Sequence, residues 1–237
     1  MSKRKNQGRE IMILYEDNHL IAVDKPPGVL VHADETGDMT LSDAIKNYIK
    51  EEYDKPGNVY LGVIHRIDRP VSGVVLFAKT SKALARMNRL FQERKVTKTY
   101  RAIVNKRPEP IEGMLTANLS KNVKKNRAHI HTSVKKGKES ETFYSLLAGL
   151  NGYYYLHVEP ITGRSHQIRA HLKSNGTPIV GDLKYGYSRP NQDKSICLHC
   201  NALEFIHPVT KEEMYISSRI PRKEYWSFFQ EIEKMDM

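Results

Sequence analysis

The sequence predicts an α+β fold, on three observations. Short segments of strand-like composition recur along most of its 237 residues, and four segments carry the apolar spacing of amphipathic helices. The chain is also long enough for one large domain, or two small lobes sharing a core, to bury an apolar interior without covalent staples.

Residues 1–10 are basic and polar and read as a flexible tail ahead of a single domain over residues 11–237. Residues 11–16 and 20–24 read as strands, followed by the stiff turn Lys25-Pro26-Pro27-Gly28 and then Val29-Leu30-Val31. Over residues 41–52, Leu41, Ala44, Ile45, Tyr48 and Ile49 share one helical face behind the capping residue Thr40. Residues 60–64 and 73–78 read as strands flanking the polar loop His65-Arg66-Ile67-Asp68-Arg69, and Pro70 biases Arg69 away from helix. A helix over 81–94 with Leu84, Met87, Leu90 and Phe91 on one face precedes a strand over 97–105. Strands are expected over 141–147 and 153–159, then a short helix over 165–174 closed by Gly176. Further strands follow over 196–205 and 213–217. Pro221 opens a last helix to residue 234, with Tyr225, Phe228, Phe229 and Ile232 available to dock on the sheet.

Charge narrows the partner. Thirty-eight Lys and Arg against 27 Asp and Glu give +11, an excess whose field favours a polyanion, nucleic acid first among them. The bias is strongest over residues 121–138, which hold seven basic residues and no acidic one; Lys124, Lys125 and Arg127 are the expected phosphate contacts there. The apolar runs are far shorter than the roughly 20 residues a membrane helix needs, and the N-terminus lacks the apolar core of a secretory signal. With only Cys197 and Cys200 present, a reducing, cytosolic compartment is expected.

Several chemistries are excluded by pattern. There is no dinucleotide Gly-x-Gly-x-x-Gly, no P-loop and no Gly-x-Ser-x-Gly elbow. Cys197-Leu198-His199-Cys200 has no second ligand pair for zinc, and His166 and His171 sit five apart, on different sides of a helix. Two polar clusters beside apolar strands remain: His65-Arg66-Ile67-Asp68-Arg69 and Thr162-Gly163-Arg164-Ser165-His166-Gln167-Ile168-Arg169-Ala170-His171. Such groups either satisfy one another as an ion-pair network or surround a buried anionic substrate. In the second cluster Ile168 and Leu172 anchor the helix, which leaves His166, Arg169 and Lys173 on an exposed cationic face, with Gly163, Arg164 and Ser165 offering backbone N–H groups to phosphate. Strand alternation puts Tyr100 with Ala102 and Val104, where it either stacks on a base or packs as a core tyrosine.

Taken in order, Asp24-Lys25-Pro26-Pro27-Gly28, His65-Arg66-Ile67-Asp68-Arg69-Pro70-Val71-Ser72-Gly73, Lys98-Thr99-Tyr100-Arg101-Ala102, the Thr162 to His171 cluster and Gly181-Asp182-Leu183-Lys184-Tyr185-Gly186 resemble the signatures of the RluA family of RNA pseudouridine synthases. The likeness runs from about residue 13 to residue 221. It implies a mixed, largely antiparallel bent sheet with flanking helices and two lobes around a central cleft. It also implies Asp68 as the catalytic carboxylate, Tyr100 beneath the target base and Arg169 as the ion-pair partner of Asp68. Arg66 would fill the vacated stack, and His65, Arg69, Arg164 and His166 would join it in RNA contact. Val71 stands where the family usually has Thr, and Ile67 where Leu is more frequent; neither change touches the proposed catalytic groups. Some members carry a separate N-terminal RNA-binding domain, and with about ten residues ahead of the first strand that domain is expected to be missing here.

The resemblance implies an isomerase of uridines in ribosomal or transfer RNA, a monomer needing no cofactor or metal, because uridine and pseudouridine are isomers. The uridine must leave its stack at a cost of a few kcal/mol, which Arg66 and Tyr100 would offset. Two alternatives come from other classes. A non-catalytic RNA-binding or assembly factor would not need Asp68, Tyr100 and Arg169 together. A nucleoside or glycoside hydrolase calls for two cooperating carboxylates, and neither cluster contains a second acid.

Overall fold

The computed structural model describes residues 3–6, 9–33, 37–122, 126–131 and 136–235. In chain order the elements are β1 (Lys3–Asn6), β2 (Arg9–Glu16), β3 (Leu20–Lys25), α1 (Leu41–Glu52), β4 (Gly62–Val63), β5 (Ser72–Ala78), α2 (Ser81–Gln92), β6 (Thr97–Val104), β7 (Glu112–Asn122), β8 (Arg127–His131), β9 (Lys138–Leu150), β10 (Tyr153–Pro160), α3 (Gln167–Ser174), β11 (Leu198–Ile206), β12 (Glu213–Ser217) and α4 (Gln230–Met235). The class is α+β, as expected. The chain divides into two compact units, Met1–Val96 with Cys200–Ser218, and Thr97–His199 with Arg219–Met237.

In the first unit the strand order is β1-β2-β3-β5-β11, with β12 paired to β11 and β4 to one end of β5. Within residues 1–10, expected as a loose tail, Lys3–Asn6 form β1 and Arg9 and Glu10 begin β2, an antiparallel pair in which Lys3 is in register with Met12. Leu20 to Val23 and Val74 to Ala78 have no solvent exposure, so β3 and β5 are buried on both faces and read in sequence as continuous apolar runs. Thr40 caps α1 through the Asp43 amide, while the Asp43 carboxylate returns to the Thr40 N–H, a reciprocal capping box. At Gly73 the φ is +114°, and a Cβ would lie 2.2 Å from the Cys200 carbonyl oxygen, so only glycine lets β5 begin this close to β11. The strand expected over 60–64 shrinks to the two residues of β4.

In the second unit the order is β6-β10-β9-β7-β8, and the pairs β6–β10, β10–β9, β9–β7 and β7–β8 are all antiparallel. α3 packs against β7, β8, β9 and β10. β7 lies in a stretch with no strand expected, because Gly113-Met114-Leu115-Thr116-Ala117-Asn118 lacks clean apolar alternation, and most of its side chains stay partly exposed. The expected last helix begins as a 3₁₀ turn, Glu224–Phe229, and becomes α-helical only from Gln230. Trp226 and Phe229 are its buried anchors, Phe229 stacking on Tyr155 at 4.8 Å.

Candidate active site

The polar loop of the first unit is held by a lysine. Lys25 ends β3, its side chain is completely buried, and Nζ donates to the carbonyls of Pro26 (3.0 Å), Val29 (2.9 Å) and Arg69 (3.2 Å). Three N–H bonds meet three acceptors, a set that an ammonium fills completely and a neutral amine does not. Burial pushes the group down to about 7, while the negative charges of Asp68 and Asp24 pull it back up and Arg69 opposes them. The Gly28 N–H also donates to the Arg69 carbonyl at 2.7 Å, and Arg69 Nε returns a bond to the Gly28 carbonyl at 3.0 Å. The 25–29 turn and the loop bearing Asp68 are therefore cross-linked from both sides.

Within that loop the Val71 N–H donates to the Asp68 carbonyl at 3.0 Å, and Ile67 and Val71 are buried on either side of half-buried Asp68. The two departures from the family pattern are thus apolar anchors of the loop. His65 Nε2 accepts the Leu76 N–H at 3.0 Å, and its ring stacks on Phe91 of α2 at 5.4 Å, so this histidine ties the loop to β5 and α2. Arg66 is exposed, its Nη1 donating to His32 Nε2 at 2.8 Å. Arg69 also meets Asp38 at 2.8 Å, a half-exposed pair worth no more than about 1 kcal/mol.

In the second unit the helix starts two residues later than expected. His166 takes a left-handed φ of 53°, and α3 begins at Gln167. The Arg164 N–H is already engaged by Gln167 Oε1 at 3.0 Å, which removes it from the expected set of phosphate donors. Gln167 uses its whole amide: Nε2 donates to the Glu141 carbonyl and to Thr142 Oγ1, and Oε1 also accepts from Thr162 Oγ1. The Arg164 guanidinium reaches the Glu139 carbonyl at 3.0 Å. His171 is sealed between Thr142 Oγ1 and Ser140 Oγ, both at 2.9 Å, and burial pushes it down to about 4.

Arg169 does not lie on an exposed face. It is buried, and its Nε and Nη2 form a fork with Asp182 Oδ2 (2.7 Å) and Oδ1 (2.8 Å). The helical wheel placed it by the apolar anchors, but a partner thirteen residues away in sequence draws the cation inward. Its guanidinium carbon lies 4.9 Å from the Tyr185 ring centroid, and that of Arg127 on β8 lies 5.0 Å from the same ring. The Tyr185 hydroxyl accepts the Ala128 N–H at 2.7 Å and bonds His166 Nδ1 at 3.0 Å. A single tyrosine thus joins the basic hairpin to the helix carrying Arg169. Lys124 and Lys125 fall outside the described residues.

Tyr100 is buried on β6, opposite Val158 of β10. Its neighbour Arg101 is buried too, pairing with Glu233 at 2.6 Å, where the Tyr155 hydroxyl also donates at 2.5 Å. Asp68 thus belongs to the first unit, and Tyr100 and Arg169 to the second. Lys25, Asp182, Tyr185 and Gln167 are functional-site neighbours that residue types and spacing do not single out. The available signal was their place inside motifs, with Lys25 closing an apolar run and Asp182 following the apolar Ile179-Val180.

Comparison with known proteins shows the family. Residues 19–174 match the family described as RNA pseudouridylate synthase, a span that takes in every motif above except Gly181 to Gly186. The chain belongs to this family of enzymes, which isomerise uridine in RNA to pseudouridine. It is 34% identical to the ribosomal large subunit pseudouridine synthase C of Buchnera aphidicola subsp. Acyrthosiphon pisum over 87% of this chain and 66% of that one. It is 31% identical to the tRNA pseudouridine synthase C of Vibrio parahaemolyticus over 89% of this chain and 91% of that one. In fold it resembles human RNA pseudouridylate synthase domain containing 4, at 24% identity and a TM-score of 0.75 over 95% of this chain and 93% of the other. Among the described residues no helix is long and apolar enough to cross a membrane.

Proposed function

We propose that this protein converts specific uridines of structured ribosomal or transfer RNA to pseudouridine, an intramolecular transfer of uracil with Asp68 acting at the ribose. The N1–C1′ bond breaks, the base turns, C5–C1′ forms, and the C5 proton leaves as N1 gains one. Substrate and product are isomers, so the balance requires no redox cofactor. Asp68 either attacks C1′ or removes a ribose proton; Arg169 pairs with it and Tyr100 lies beneath the flipped base, as the family motifs imply. Arg66 fills the gap in the stack, and His65, Arg69, Arg164, His166, Lys124, Lys125 and Arg127 contact RNA. The protein works in the cytosol as a monomer.

The observation that carries this reading is the family match over residues 19–174, which contains Asp68, Tyr100 and Arg169. Support comes from the buried lysine that fixes the Asp68 loop and from the carboxylate fork on Arg169. The test is tritium release from ribosomal and transfer RNA labelled at uridine C5 and lacking its pseudouridines. The wild-type protein should release tritium and Asp68→Asn, though folded and RNA-bound, none. Failure of the wild type on both RNAs, or release by Asp68→Asn at the wild-type rate, would overturn the proposal.

A further inference from the structure

A second basic surface lies in the first unit, outside all five motifs. α2 has no acidic residue in twelve, and Lys82, Arg86 and Arg89 fall within about 60° of one another around its axis, all exposed. Beside this face is an open hollow of about 350 Å³ between α2 and the turn joining β11 to β12. Arg86, Arg89, Lys95 and Lys211 stand around it, and Leu90 and Ile206 contribute apolar wall. The only carboxylate in the lining is Glu93, which pairs with Arg89 at 2.6 Å and Lys95 at 2.7 Å. Four cations thus face one anion. A concave surface of one sign with apolar walls focuses field and concentrates polyanions.

The helix that forms one wall of the hollow also supports the loop bearing Asp68. Phe91, next to Leu90 on α2, carries the His65 ring of the loop that holds Asp68. We propose that this hollow and the neighbouring face of α2 bind the phosphate backbone of substrate RNA, a contact separate from the basic hairpin of the second unit. The proposal rests on the RNA-modifying reading and adds a place where the substrate strand is held. Glu93 tempers the site: by engaging Arg89 and Lys95 it lowers the charge offered to phosphate.

The test uses the full-length protein and a fluorescein-labelled RNA stem-loop, with affinity measured from 50 to 200 mM KCl. In Lys82→Ala/Arg86→Ala/Lys211→Ala three cations are gone and the Glu93 pairs remain. The slope of log affinity against log salt should become shallower by about 2.1 to 2.7 at roughly 0.7 to 0.9 per contact, so that the affinity ratio between wild type and variant changes about 20- to 40-fold across that range. Glu93→Gln should do the reverse, steepening the slope and tightening binding at 50 mM, a gain that misfolding does not imitate. Slopes indistinguishable from wild type in both variants would overturn the proposal, including the case in which the hollow serves an acidic protein instead. If the slopes shift as expected but the wild-type protein forms no pseudouridine, the RNA contact stands and the catalytic reading falls.

Discussion

Replacing Asp182 by Asn tests how the cation of α3 is held. The change preserves shape and removes one charge, taking from Arg169 the carboxylate that holds its Nε and Nη2. Two charge-assisted bonds at 2.7 and 2.8 Å are affected. At about 1.5 to 3 kcal/mol each they amount to about 3 to 6 kcal/mol, in line with the roughly 3 to 5 kcal/mol for breaking a buried ion pair from one side. The Asn oxygen can still accept from Nη2 or from the Tyr185 N–H, so the lower end, about 3 kcal/mol, is expected. Equilibrium unfolding in urea should show this loss as a lower midpoint with an unchanged m-value. The double variant Arg169→Met/Asp182→Leu, which buries two apolar side chains in place of the pair, should recover much of the stability while forming no pseudouridine. An Asp182→Asn protein within 1 kcal/mol of wild type would refute the claim that this fork stabilises the fold.

Three further outcomes are expected. Lys25→Met removes three hydrogen bonds but also a buried charge whose shift from 10.5 to about 7 corresponds to about 5 kcal/mol, so stability measured by urea unfolding should change by no more than about 2 kcal/mol while single-turnover rate falls at least about tenfold; equal losses in both would contradict a role confined to the loop. His171 titrates near 4 in the folded protein against 6.5 ordinarily, so the unfolded chain takes up the proton first as pH falls; stability should decline from pH 6.5 to pH 4 by about 3 kcal/mol, and His171→Asn should flatten that decline in urea titrations at successive pH values. Tyr100→Phe should retain RNA binding and much of the turnover if stacking is the role of the ring, whereas Tyr100→Ala should lose about 1 to 3 kcal/mol of binding; a Phe variant that binds but is dead in single turnover would assign the hydroxyl to proton transfer.

The parts of the fold visible in the sequence are those governed by local rules. α1 starts and stops where Thr40 and the apolar spacing say, because Thr40 and Asp43 satisfy the helix N-terminus within four residues of chain. β3 and β5 are legible as apolar runs because both faces are buried. The misreadings arise where distant groups decide. Arg169 was expected on an exposed face, yet a carboxylate thirteen residues on takes it inside, and three backbone carbonyls do the same for Lys25, to which the sequence assigns no place. The late start of α4 has a local cause that no pattern announces: Glu224 adopts a φ of 47°, so the chain after Pro221 turns before it coils. His166 does the same ahead of α3. Asp68 is a candidate only through motif resemblance, since nothing in its spacing distinguishes it from a surface aspartate.

The bonds that close the 25–29 turn onto the Asp68 loop have a consequence for binding entropy. A loop of five residues such as His65 to Arg69, left to itself, costs about 1 to 2 kcal/mol per residue to order, and a protein whose loop orders on contact with RNA subtracts that sum from its affinity. Here Lys25 and Gly28 hold the backbone at Arg69, and His65 holds the other end at Leu76, so the ordering occurs during folding. Opening the loop requires extracting a buried ammonium, and amide exchange at Gly28 and Leu76 should therefore follow global unfolding of the first unit rather than local fraying. Under the proposed function, the energy of RNA contact is then available for flipping the base.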